Sequence, residues 1–197
     1  MNNKIYKFEE VLNDLVDYFI LGDPEYLLQY KIKHNLPDDL LTEFTTQDTG
    51  DIVVENGVII PMVGIENHPY TIYFNLSSET PELFKPENIL LHECDGYCLR
   101  VENGEIYLFT IPYLDDYSST RIESLKKHQK ATIMLENGWY TVTILGGLTQ
   151  QNYESKTSDG TTKNTTYMQP TFEFLLKPSS EKPNFNADIS YPFEIES

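Results

Sequence analysis

Cysteine is scarce: Cys94 and Cys98 are the two in a chain of 197 residues. Two thiols cannot form the disulfide framework that holds small secreted domains together. Basic residues are scarce as well. There are 14 Lys and Arg against 31 Asp and Glu, for a net charge of −17. That balance lacks the basic footprint nucleic-acid binding requires, and it disfavours anionic membrane surfaces. Long apolar runs are missing, so no helical membrane span is expected. The N-terminal MNNKIYKFEEV has acidic residues where a secretory leader needs an apolar segment, which points to a cytoplasmic location. Common catalytic motifs are missing too. There is no G-x-S-x-G elbow, no G-x-x-x-x-G-K-[ST] phosphate loop and no H-E-x-x-H helix. Neither a cofactor nor a metal is expected.

What the chain has in quantity is aromatic residues, with 14 Tyr and 10 Phe, and these favour strands. The length suits one sizeable domain. In KIYKFEEVLNDLVDYFI, residues 4–20, the residues Ile5, Phe8, Val11 or Leu12, Leu15 and Phe19 fall on one helical face. Asp23-Pro24 starts a further helix to about His34, with Asp as cap and Pro at the first helical position. Its expected buried residues are Tyr26 or Leu27, and Tyr30. Residues 1–48 therefore read as an acidic helical segment packed on the same domain.

From 49 to 178 the pattern is that of strands. The tripeptide Glu-Asn-Gly recurs at 55–57, 102–104 and 136–138, each time between β-rich runs. Asn-Gly suits a type I′ turn, which needs positive φ at both central residues, so three tight hairpins are expected. Further strands are expected at 70–76, 88–94 and 171–177, and a loop with a short helix at 114–130. The basic run Lys126 to Lys130 would complement the dipole at that helix's end. The polar stretch 151–169 reads as a hairpin loop, and residues 179–197 as a tail able to add an edge strand. The expected fold is mainly β, of the α+β class: an antiparallel β-sandwich built of hairpins with an N-terminal helical segment.

HECDGYC, residues 92–98, concentrates a histidine and both cysteines. Asp95-Gly96 is itself a type I′ dipeptide. A two-residue hairpin there puts Leu90, His92, Cys94, Tyr97, Leu99 and Val101 on one face. It puts Glu93, Cys98, Arg100 and Glu102 on the other. The thiols then point apart, against both a disulfide and a shared metal site. Trp139, the single tryptophan, follows Asn137-Gly138, and with Tyr140 it begins a strand on which one of the pair faces outward.

Residues 70–148 carry TIYFNLSSE, VENGEIYLF and KATIMLENGWYTVTIL in that order. In this they resemble the small nuclease inhibitor of the bacterial competence system and related toxin-immunity proteins. The resemblance rests on strand and turn patterning. It implies a compact acidic β-sandwich that binds and inhibits a nuclease or another toxin, and it transfers no individual interface residue.

The expected function is that of a non-catalytic binding protein, immunity- or inhibitor-type, monomeric or a small homo-oligomer. Its acidic surface would hold a basic protein partner such as a nuclease toxin. The candidate contact residues are Glu9, Glu10, Asp14 and Asp17 in the N-terminal segment, and Glu93, Glu102 and Glu105 on the hairpins. Trp139 and Tyr140 complete the set as aromatic anchors. The alternatives are a ligand- or carbohydrate-binding module with a row of exposed aromatics, and a carboxylate-dependent hydrolase with two buried acids in a cleft.

Overall fold

The computed structural model describes residues 4–13, 17–156 and 162–196. The chain opens with two strands, β1 (Ile5–Leu12) and β2 (Asp17–Gly22), where a helix was expected. The cause is a bulge. Along β1, Tyr6 and Phe8 turn inward while Ile5, Lys7 and Glu9 face out, the alternation of a strand. At Glu10, φ is +54 and the register slips between Phe8 and Val11. The extra residue puts Phe8 and Val11 on one face at a spacing of three, which imitates a helix.

Three helices follow: α1 (Pro24–His34), α2 (Leu40–Thr46) and α3 (Thr49–Glu55). Then come β3 (Ile59–Ile65), β4 (Pro69–Asn75), β5 (Ile89–Val101), β6 (Glu105–Thr110), α4 (Ser119–His128), β7 (Thr132–Met134), β8 (Gly138–Lys156) and β9 (Thr162–Ser179). The strands form two sheets. One has the order β1-β4-β9-β8-β5, with β4 and β9 parallel; the other has the order β3-β2-β6-β7. The fold is thus mixed α+β.

The expected hairpins are largely replaced by crossings between sheets. Glu55-Asn56-Gly57 ends α3 instead of turning a strand. The Gly57 N–H donates to Val54 O at 2.8 Å and the Val58 N–H to Val53 O at 3.1 Å, with φ of Gly57 at +66. This is a left-handed helix cap, and glycine serves there for the reason it serves a type I′ turn. The motifs at 102–104 and 136–138 are corners where the chain passes from one sheet to the other. Among the described strands, β8 and β9 alone are consecutive neighbours joined by a short connection. Their pairing continues to Lys156 opposite Thr162, so most of 151–169, read as a loop, is a polar two-stranded ribbon. A ribbon beyond the sheet buries neither face, so its sequence carries no apolar alternation.

HECDGYC is no hairpin either. It lies inside the continuous strand β5, paired with β8 on both sides of Asp95-Gly96. Cys94 faces Ile144 and Tyr97 faces Val142, so three steps on β5 match two on β8. Asp95-Gly96 is therefore a bulge. One extra residue restores the same facing as a two-residue turn, which is why Cys94, Tyr97, Leu99 and Val101 still share the core face.

Two cores result. The first lies between the sheets, with Phe19, Leu21 and Met62 meeting Ile72, Leu99 and Phe174. The second lies between the other face of the four-stranded sheet (Ile20, Ile59, Phe109) and the helices (Leu27, Val53, Leu125). The C-terminal tail joins the first core through Phe193 and Ile195. It also ties together the edge strands of the two sheets. The Asn186 N–H donates to Gly96 O at 3.1 Å on β5, and the Phe193 N–H to Val63 O at 2.8 Å on β3. Gly96 must be glycine here: φ is +84, and a Cβ would sit 2.4 Å from Asn186 Oδ1. His92 holds the tail as well. Its Nε2 donates to Glu194 O at 2.7 Å, and Nδ1 lies 2.9 Å from the Tyr191 hydroxyl.

The opposite face of the five-stranded sheet buries one acid completely. Glu173 on β9 accepts from Asn75 Nδ2 at 2.8 Å and from the Leu83 N–H at 3.1 Å, which fixes the turn at Glu82–Phe84. Burial raises its pKa above the ordinary 4.5, although the donated hydrogen bonds oppose the shift. The folded chain therefore binds this proton more tightly than the unfolded chain. The stabilisation is complete below the ordinary value and is lost as pH rises through the raised folded value. Relative to Glu173→Gln, wild type is expected to lose stability as pH rises over the range from the ordinary 4.5 through the raised folded value. Urea unfolding of both proteins across that range checks it; parallel curves would contradict it.

Candidate functional site

One concave site is built on α1. Asp23 caps this helix, accepting from the Tyr26 N–H at 3.0 Å, and Pro24 takes the first helical position. Leu27 and Lys31 point into the protein. Lys31 is held there by Asp38 and by Tyr117 O at 2.6 Å. With that face buried, Tyr26, Tyr30 and His34, spaced four apart, form another stripe alongside Gln29 and Lys33. These five side chains form one wall of a cavity of about 610 Å³. Asn56, Glu102, Trp139 and Lys182 form the other.

Trp139 starts β8 on the face opposite the buried Tyr140. It packs on the bare backbone of Gly57, where a Cβ would come within 2.8 Å of Cζ3 of the indole. Arg100 is its cross-strand neighbour, with the guanidinium 5.3 Å from the ring centroid, and the Lys182 ammonium is 5.9 Å away. Arg100 is paired with Glu102 at 2.6 Å. The Tyr26 hydroxyl is pushed upward in pKa by burial first and by Glu102 next. Tyr30 stacks on His34 with centroids 4.1 Å apart, and its hydroxyl accepts from Asn56 Nδ2 at 3.4 Å. Lys182 donates to Asn56 Oδ1 at 3.1 Å. Among the described residues neither Lys33 nor Lys182 has a carboxylate partner. The site offers flat rings and hydrogen-bond donors, the chemistry of recognition.

A second feature is the seam between β5 and the tail. Glu93 and Asp95 lie on β5, and on the tail beside it the backbone carbonyls of Asp188 and Glu194 accept from Tyr97 and His92, while the Glu194 side chain packs by Gly64 of β3. Burial raises the Cys94 thiol; a Tyr191 hydrogen bond opposes this, while Asp188, Asp95 and Glu93 add to it. None of Glu93, Asp95, Asp188 and Glu194 has a Lys or Arg partner among the described residues. A third, mostly apolar groove runs between α3, β3 and the tail, past Val54, Ile59, Pro61, Phe185 and Ile189.

The residues proposed from sequence are dispersed. Glu9 is exposed on edge strand β1 and paired with Lys7 at 2.5 Å; Glu10 forms the bulge beside it. Asp14 lies outside the described residues. Asp17 is exposed at the start of β2, and Glu93 is exposed on β5. Glu105 is paired with Lys126 at 2.5 Å. Tyr140 is in the core, 5% exposed, with its hydroxyl donating to Glu136 O at 2.8 Å. Only Glu102 and Trp139 meet in one site. The α1 wall was missed, although the Tyr26, Tyr30, His34 spacing was legible. Lys182 and Asn56 come from distant segments and left no local signal.

Among the described residues no three His, Cys, Asp or Glu side chains are grouped to hold a metal ion, and no helix is long and apolar enough to cross a membrane. No protein-family model matches the chain, and no curated protein matches it. One solved structure, described as "Crocagin biosynthetic gene J", aligns with a TM-score of 0.46 at 9% identity, over 90% of this chain and 99% of that one. At that similarity the chain is assigned to no family.

Proposed function

We propose that this chain is a non-catalytic binding protein of the immunity or inhibitor type, a two-sheet sandwich that holds a basic protein partner in the cytoplasm. The observation that supports it is the seam. Glu93, Asp95 and Asp188, which all act on the Cys94 thiol, have no Lys or Arg partner among the described residues and stand on a frame fixed by His92, Gly96 and Tyr97, whose hydroxyl donates to Asp188 O at 3.1 Å. Charges held on a fixed frame bind an opposite charge without a large ordering cost. The net −17 adds long-range attraction that speeds encounter with a cationic surface, such as that of a nuclease toxin.

The test begins with co-purification at low salt to recover the partner. Its association rate is then measured against the wild type and against the combined change Glu93→Lys, Asp95→Lys and Asp188→Lys. The expected result is a rate that falls about tenfold or more between low and high salt, and again on charge reversal. A partner that binds the reversed protein as fast, or with no salt dependence, would sink this reading. A ligand-binding reading is favoured by a separate observation, the cavity at Trp139.

A further inference from the structure

We propose that the cavity between α1 and Trp139 binds a small organic anion, a flat unsaturated ring carrying a phosphate or carboxylate head. The inference goes beyond the seam and does not depend on it. It begins with charge. In a molecule of net −17, two lysines (Lys33 and Lys182) line one cavity whose single carboxylate, Glu102, is paired with Arg100 beside Trp139. Lys85 is neutralised by Glu82 at 2.6 Å and Lys126 by Glu105 at 2.5 Å, while Lys4, Lys127, Lys130 and Lys177 have no carboxylate partner among the described residues; Lys33 and Lys182 differ from these four in lining one aromatic cavity together. Here Glu102 is taken up by Arg100, and Lys33 and Lys182 keep their charge for something outside the chain. Two ammonium groups without a carboxylate partner among the described residues line one cavity of an otherwise acidic molecule, which favours an anion beside them.

The second argument is shape. Tyr26, Tyr30 and Trp139 supply three aromatic walls, and the cavity of about 610 Å³ matches the range of small-molecule sites. The walls are preorganised. Trp139 rests on Gly57, Tyr30 is stacked on His34, and the Asp23 cap fixes the start of α1. An anionic head would sit between the Lys33 and Lys182 ammonium groups, within reach of the Tyr hydroxyls. A ring attached to it would lie against the aromatic walls. Each part alone is weak; joined in one ligand they reinforce one another.

Trp139 is the only tryptophan in the chain, so its emission and its indole N–H resonance report on this cavity and on nothing else. The experiment titrates phenyl phosphate against the full-length protein, with inorganic phosphate and phenol as separate arms. The expected result is a saturable change of the Trp139 signals by phenyl phosphate, about tenfold tighter than by either fragment. The double variant Lys33→Ala, Lys182→Ala should weaken phenyl phosphate about tenfold or more. Both lysines are exposed and hold no part of the core, so the variant's thermal midpoint should match wild type. Three results would overturn the proposal. They are no saturable change with phenyl phosphate, equal affinity for phenol, or equal affinity of the double variant. Inorganic phosphate binding as tightly as phenyl phosphate would overturn the aromatic half and with it the ligand class.

Discussion

Asp23→Ala is expected to cost about 3 to 5 kcal/mol of folding stability, the range for breaking a buried, hydrogen-bonded charge. Asp23 is 0% exposed. Its Oδ1 accepts from the Tyr26 N–H at 3.0 Å, and its Oδ2 from the N–H groups of Glu102 at 2.9 Å and Asn103 at 2.8 Å. The Asn103 side-chain amide adds a fourth donor at 3.1 Å. One carboxylate thus caps α1 and holds the corner at which the chain leaves the five-stranded sheet. Alanine strands all four donors. Asp23→Asn keeps an acceptor for the cap but turns an amide N–H₂ toward two backbone donors, so it should recover only about 1 kcal/mol. Urea unfolding gives the energies, and hydrogen exchange at Glu102 and Asn103 tests the cause. A loss below about 1 kcal/mol for alanine would show that water replaces the carboxylate. The same residue fixes both walls of the Trp139 cavity, because Tyr26 belongs to α1 and Glu102 to the corner.

The start of α1 was legible because Asp23 and Pro24 carry their chemistry locally: a side-chain acceptor for the first turn and a residue with no N–H to satisfy. Strands β4 and β9 were legible from their apolar content. The first strand was not, because the bulge at Glu10 gives Phe8 and Val11 the spacing of a helix. The three Glu-Asn-Gly motifs announced left-handed backbone correctly at Gly57 and Gly104, yet could not say what would use it. Whether the next strand pairs with the last or crosses to another sheet is decided by distant partners. The HECDGYC reading shows the same limit in milder form. Cys94, Tyr97, Leu99 and Val101 came out on the right face from a turn that does not exist, because a bulge and a two-residue turn shift side-chain parity alike; Leu90 did not, since a second slip in register separates it from His92 and leaves it 37% exposed. The cavity was half visible, through Trp139 and Glu102. The α1 wall was hidden because Leu27 and Lys31 fill the buried face of α1, and lysine is a poor guess for burial.

Phe193→Ala should destabilise the protein by about 3 to 5 kcal/mol, as truncation of a buried aromatic ring does in a core that cannot close the gap. Phe193 is 1% exposed although it lies in a proline-containing tail. Its ring meets the edges or faces of Phe172 at 6.1 Å, Tyr191 at 5.2 Å and His92 at 6.1 Å. Its N–H bonds Val63 O on the edge of the other sheet. The residue is thus shared by both sheets and the tail, so the loss should appear as a lower global unfolding midpoint. If the tail opened alone, hydrogen exchange would speed at Asn186 and Phe193 while the amides of β8 and β9 kept their protection. Phe193→Leu retains apolar volume and should cost about half as much, which separates packing from the loss of any single contact. The functional consequence follows from where the tail carries charge. Asp188 keeps its place near Glu93 and Asp95 only while Phe193 is seated, so Phe193→Ala should also slow association with a basic partner. A variant that is destabilised yet associates at the wild-type rate would separate the acidic seam from the packing that positions it.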